Sequence, residues 1–184
     1  MIVGQIVLAD PTPYAIGNYS AIIPTQDEAI CKQIASFLHE INYQGFANFD
    51  IKYDPRDGKD KIFEINLRPG RTAYFATENG LNVGRCYIDD LIYATDYKKT
   101  DILQGNKMLL EVPPKTLRRY IGPTDASRHA LTLLEDGSYE WTLRYSQDLS
   151  LKRRAVLYRL AHLAQHNFET YGIPQEKEIE GYHE

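Results

Sequence analysis

The sequence predicts an α+β fold, and three observations carry that prediction. Strand-like runs alternate with helical periodicity through the first hundred residues; the runs 46–53 and 60–67 flank a glycine turn; and a long helical pattern spans Ser150 to Tyr171. Taken in order, residues 2–9 and 18–23 read as strands parted by Asp10-Pro11-Thr12-Pro13, because proline cannot serve a central sheet. A helix follows, with Thr25 and Glu28 spaced as a capping box and Ile30, Ile34, Phe37, Leu38 and Ile41 on one face. Gly45 ends it. A further helix from about Val83 to Tyr93 takes Asn82 as its N-cap and sets Val83, Tyr87 and Leu91 on one face, with Cys86 beside them. After Asp101 the pattern changes. Met108–Val112 reads as a strand ending at Pro113-Pro114, and Asp136-Gly137 reads as the turn of a second hairpin. Its return strand would alternate Tyr139, Trp141, Leu143 and Tyr145 on one face. The last helix buries Leu157, Leu160, Ala164, Phe168 and Tyr171, and Gly172 and Pro174 stop it. The charged tail 176–180 is expected to fray.

Composition excludes several function classes. With 184 residues and 43% apolar content the chain can bury roughly 70% of its unfolded surface, so it needs no disulfide or metal to fold. Cys31 and Cys86 are expected to be reduced, which suits a cytoplasmic protein. Twenty-five acidic against 21 basic residues, a net charge of −4, argue against nucleic acid or an anionic membrane as the partner of the chain as a whole. Local basic clusters at Leu117-Arg118-Arg119-Tyr120 and at Lys152-Arg153-Arg154 with Arg159 read as solvated faces that could hold a phosphorylated small molecule. No apolar run reaches the roughly 18 residues of a membrane span. His162 and His166, four apart, lack the carboxylate of a metalloprotease pattern and read as polar-face histidines. Met1 opens straight into an apolar run, which suggests a strand that begins inside something larger.

The chemistry concentrates in the hairpin. If Arg56-Asp57-Gly58 is a three-residue loop, Asp50 lies across from Glu64. Alternation then sets Ala47, Phe49, Ile51, Tyr53, Phe63, Ile65 and Leu67 on a core face. Asn48, Asp50, Lys52, Asp54, Asp60, Glu64, Asn66 and Arg68 share the other. Directly opposed carboxylates repel, a pairing that sheets avoid unless a cation answers it. Hard Mg²⁺ takes carboxylate and amide oxygens, and Arg68 is placed to grip a phosphate or carboxylate oxygen. The bland alternative is a solvated face with Asp50–Lys52 and Glu64–Arg68 paired.

The strings Phe49-Asp50-Ile51-Lys52-Tyr53-Asp54 and Phe63-Glu64-Ile65-Asn66-Leu67-Arg68 resemble the metal-binding end of the ATP-grasp superfamily. Extended through Arg71-Thr72-Ala73-Tyr74, Gly80-Leu81-Asn82 and Asp89-Asp90-Leu91-Ile92, the stretch is similar to carboxylate–amine ligases of the D-aspartate ligase type. The resemblance covers residues 1–99, and implies a C-terminal ATP-grasp subdomain there with an α+β extension over 100–184. It implies Asp50, Glu64 and Asn66 as magnesium ligands, two ions in the complete enzyme, and Arg68 stabilising the transferring phosphoryl group. Lys52 would contact a phosphate or neutralise Asp50 and Asp54, and Arg71 would meet the carboxylate substrate. The implied reaction consumes ATP to join a small-molecule carboxylate to an amine through an acyl phosphate, with peptidoglycan assembly as its setting. No G-x-x-x-x-G-K-[ST] loop or G-x-G-x-x-G fingerprint occurs. The nucleotide-clamping upstream half is therefore expected elsewhere, in the same polypeptide or a partner chain, and this chain is expected to be inactive alone. The competing reading is a non-catalytic binding or assembly module of ATP-grasp ancestry.

Overall fold

The computed structural model describes residues 1–95 and 101–175. It divides into two compact units, one of Met1–Ile2 with Asp27–Leu103 and one of Val3–Gln26 with the residues from Gln104 onward. The units interleave along the chain rather than following a boundary at residue 99. The charged tail 176–180 lies outside the described residues.

The hairpin-bearing unit holds helix α1 (Glu28–Glu40), strands β3 (Asn48–Asp54) and β4 (Lys59–Asn66), and helices α2 (Ala73–Glu78) and α3 (Val83–Leu91). Helix α1 begins two residues beyond the expected capping position. Asp27, not Thr25, is the N-cap, and its carboxylate accepts from the Ile30 N–H at 2.9 Å. Ile30, Cys31 and Ile34 are buried, whereas Phe37 and Ile41 are 40% and 54% exposed, so the expected stripe is covered only along its first turns. Both cysteines are unpaired, as expected, and burial pushes the Cys31 thiol up. Helix α3 starts at Asn82, whose side chain accepts from the Arg85 N–H at 2.9 Å, yet none of its residues is buried and Leu91 is 75% exposed.

In the second unit, β1 (Val3–Ala9), β2 (Tyr19–Thr25), β5 (Met108–Leu110) and β6 (Tyr139–Trp141) form one sheet in the order β1-β2-β5-β6. The strands expected with the first hundred residues thus join strands from beyond residue 100. Strands β1, β2 and β5 pair antiparallel, while β6 runs parallel to β5. A parallel neighbour needs a crossover, and helices α4 (Pro114–Tyr120) and α5 (Asp125–Glu135) supply it. This corrects the expected second hairpin. Asp136-Gly137 is instead the C-terminal turn of α5: Gly137 sits at φ +68, and Ser138 N–H reaches back to Leu133 O at 2.8 Å, a Schellman closure. The expected strand to Tyr145 stops at Trp141, and Leu143 turns to φ +67. Leu110, Met108, Leu117, Ala130 and Leu134 centre the core between the sheet and helices α4 and α5.

Helix α6 (Leu151–Tyr171) matches its expected span, capped by Ser150. Only Phe168 of α6 is buried, packed on Tyr120 with ring centroids 5.1 Å apart. Leu160 and Tyr171, expected in the stripe, are 45% and 48% exposed. Gly172 caps the helix at a position where only glycine fits: a Cβ there would lie 2.6 Å from Phe168 O and 2.9 Å from the Tyr120 ring.

Candidate metal centre

The β3–β4 hairpin brings together the carboxylates that the sequence placed opposite each other, by a route the sequence did not show. At its tip the ladder closes at Asp54↔Lys59, so the loop has four residues, Pro55–Gly58, rather than three. Gly58 occupies the left-handed region at φ +68, as expected, and its N–H donates to Asp54 O at 2.9 Å. That closure alone would place Asp50 one position out of step with Glu64. A β-bulge between Asp50 and Ile51, taking up Phe63 as the extra residue, restores the register, and the ladder continues as Asp50↔Glu64, Phe49↔Ile65 and Asn48↔Asn66.

The bulge also changes the faces beyond it. Register partners share a face, so Ile62 joins Ile51, and Asp60 moves to the face of Tyr53. This corrects the expected position of Asp60 among the polar residues. Lys59 and Lys61 take the polar side, opposite Asp54 and Lys52. With the observed loop but no bulge, Phe63 and Ile65 would fall opposite Asp50 and Asn48 on the polar side, so apolar patterning and register agree only when it is present. The apolar face is mostly open: Phe49 meets Phe37 edge-on at 6.4 Å, but Tyr53, Phe63 and Leu67 are 60%, 68% and 63% exposed.

Asp50 and Glu64 stand directly across the ladder, and their electrostatics register the crowding. Partial burial pushes the Asp50 carboxyl up, and the neighbouring Glu64 carboxylate adds to the shift. Asn48 opposes it by donating from Nδ2 to Asp50 Oδ1 at 3.3 Å. Asn48 is in turn fixed by Thr72, whose hydroxyl donates to Asn48 Oδ1 at 3.2 Å, and by Gly70, where a Cβ would lie 3.1 Å from the Asn48 side chain. Sequence reasoning put Asn48 on this face but gave it no role. Its signal was the Pro69-Gly70 turn, which returns Thr72 beneath it.

The bland pairing is not found. Among the described residues neither Asp50–Lys52 nor Glu64–Arg68 forms an ion pair; the Arg68 guanidinium reaches only its neighbour's carbonyl, Pro69 O, at 3.4 Å. Asp54 is held by Arg56 through Nε at 2.9 Å and Nη2 at 2.7 Å, which lowers its carboxyl from the usual value, and Lys61 pairs with Asp57. Lys52 is exposed opposite Lys61, and Arg68 and Arg71 are exposed just past β4. The ladder therefore collects Asp50, Glu64 and the Asn48 and Asn66 amides, while Arg68 and Arg71 lie beyond its last pair. Among the described residues no group of three or more His, Cys, Asp or Glu side chains could hold a metal. Any ion here would rest on two carboxylates with amide oxygens, a donor set that fits hard Mg²⁺ with waters or phosphate oxygens completing its shell.

In sequence, the chain is similar to a D-aspartate ligase. That relative, from Enterococcus faecium strain Aus0004, is 39% identical over 175 residues, which are 93% of this chain and 42% of the relative. The D-aspartate-ligase-type resemblance drawn from Phe49 through Ile92 is thereby borne out, and so is the mixed α and β architecture. The chain spans well under half the length of the D-aspartate ligase it matches. No protein-family model matches it, and no solved structure matches it. No helix among the described residues is long and apolar enough to cross a membrane.

Because Asp50 carries a raised pKa, the sign of its effect on stability is fixed. The folded chain binds this proton at higher pH than the unfolded chain does, so stability falls as pH rises from the ordinary carboxylate value of 3.8 through the folded one. Asp50→Asn is expected to relieve the like-charge pairing and stabilise the metal-free chain near neutral pH by about 0.2–1 kcal/mol. Urea unfolding between about pH 4 and 7 checks this, and a less stable Asp50→Asn chain would refute the assigned repulsion.

Proposed function

We propose that this chain supplies the magnesium-binding wall of an ATP-grasp carboxylate–amine ligase, acting on D-aspartate or a similar small carboxylate during peptidoglycan assembly. The observation that carries the reading is the Asp50–Glu64 pair, held across the ladder by a bulge and unanswered by a cation among the described residues. The D-aspartate ligase similarity over 93% of the chain supports it.

A carboxylate is a poor electrophile. In the proposed reaction its oxygen takes the γ-phosphoryl group of ATP, releasing ADP, and the amine nitrogen then attacks the acyl carbon and expels phosphate. Asp50, Glu64 and Asn66 would hold magnesium, two ions in the complete enzyme, with Asn48 orienting Asp50. Bound there, the metal would neutralise charge on the transferring phosphoryl group. Arg68 would add a planar donor to the same oxygens, Lys52 a point charge, and Arg71 a contact to the carboxylate substrate. The open apolar face of the hairpin, with Phe63 and Leu67 at 68% and 63% exposure, favours further polypeptide packing there, such as the nucleotide-clamping half.

Two measurements test this. Magnesium should raise the unfolding midpoint of the wild-type chain and leave that of Asp50→Asn unchanged, since a ligand stabilises only the state that binds it. The chain alone, given ATP, magnesium, D-aspartate and an amine acceptor, should form no amide, and activity should appear once the clamping half is supplied. Magnesium binding with no turnover after that addition would favour the non-catalytic assembly module. Turnover by the isolated chain would refute the divided site.

A further inference from the structure

The first three turns of α6 carry features that the proposed ligase does not use. At 100° per residue, Leu157, Ala161, Ala164 and Phe168 form one stripe, and Phe168 at its end is buried against Tyr120. Beside that stripe Val156, Leu160 and Leu163 follow at i, i+4 and i+7, and they are 50%, 45% and 54% exposed. The apolar arc of the helix is therefore wider than the part its own unit covers. Lys152 and Arg159 border the open strip on one side, and Arg153 stands on the other.

Charge identifies the kind of partner. Between Arg144 and Arg159 there are five cations and a single acid, Asp148, in a chain that is acidic as a whole. Asp148 is engaged by Arg153 at 3.3 Å, and Arg153 also donates to Leu143 O at 2.9 Å. Lys152, Arg154 and Arg159 meet no anionic partner among the described residues. A net charge of −4 does not cancel this cluster at a distance, because screening confines each field to roughly 10 Å. An open apolar strip edged by long basic side chains suits an anionic bilayer surface: the strip enters the acyl boundary and the cations extend to headgroup phosphates. A second copy of the helix would bring like-charged edges together, and a nucleic acid would leave the strip uncovered.

We propose that α6 docks this chain peripherally on anionic membrane surfaces through Val156, Leu160 and Leu163, with Lys152 and Arg159 at the headgroups. The test is co-sedimentation of the full chain with phosphatidylcholine vesicles with and without about 30% phosphatidylglycerol. Binding is expected to the anionic vesicles alone, to weaken with salt, and to fall at least tenfold in partition for Leu160→Glu/Leu163→Glu and for Lys152→Glu/Arg159→Glu. All four positions are exposed, and far-UV circular dichroism should show the helix content of each double variant unchanged. Equal binding to both vesicle types, no binding to either, or retention by folded variants would overturn the proposal. So would a concentration-dependent dimer that the leucine variant abolishes, since the strip would then belong to a second copy. Magnesium binding at the hairpin is independent of every one of these outcomes.

Discussion

Glu64→Gln is expected to lower ATP-dependent amide formation by about 10³-fold in the completed ligase, equivalent to roughly 4 kcal/mol of transition-state stabilisation. Glutamine keeps the length of the side chain and one acceptor oxygen but removes the negative charge that draws a divalent cation. Glu64 is exposed at its ladder position, so no packing is lost with the substitution. The repulsion it exerts on Asp50 disappears as well. Catalysis and stability should therefore move in opposite directions, with turnover collapsing while the metal-free chain unfolds at the same or slightly higher urea concentration. That divergence separates a metal ligand from a residue needed only for folding. Steady-state assay of the completed ligase and urea unfolding of the chain measure the two quantities, and near wild-type turnover would defeat the assignment.

Leu110→Ala is expected to destabilise the sheet-bearing unit by about 2–5 kcal/mol. Leu110 is fully buried at the centre of the core, on the short strand β5, where it pairs with Ala21 of β2 on one side and Trp141 of β6 on the other. Truncation removes three carbons from a site walled by strands on both sides, which cannot easily collapse into the gap. A loss of this size is a large fraction of the 5–15 kcal/mol that holds typical domains folded, so urea unfolding should show it directly. Leu67→Ala, at a position 63% exposed, should cost under about 0.5 kcal/mol in the chain alone. Equal losses at the two leucines would show that the core is not where the burial pattern places it.

The candidate site was more legible in the sequence than the fold around it. Asp50 opposite Glu64 followed from strand alternation and a glycine turn, yet the inferred loop was one residue too short and the bulge at Phe63 was unseen. The two departures cancel at Asp50 and do not cancel at Asp60, which is why the carboxylate pair came out correctly and the outer polar residues did not. A bulge has no local signature here except Ile62, which strict alternation would leave on the polar side. Around the site, Asn48 was placed but its tether to Thr72 was not, because that hydrogen bond spans 24 residues.

Elsewhere the same division holds between local and distant causes. By itself the sequence determined the cap at Asn82, the turn at Gly58, the span of α6 and the opposed carboxylates, because each depends on residues within a few positions or across one hairpin. Tertiary structure alone decided that β1 and β2 belong with β5 and β6, that Asp136-Gly137 ends a helix, and that half of the expected hairpin core stays open. Strand partners 87 and 89 residues apart, Ile22 with Leu109 and Ala21 with Leu110, are chosen by which apolar faces can be buried together, and a glycine in the left-handed region serves a helix end as readily as a hairpin. Periodicity marks a surface as apolar, but only the packed chain shows what covers it.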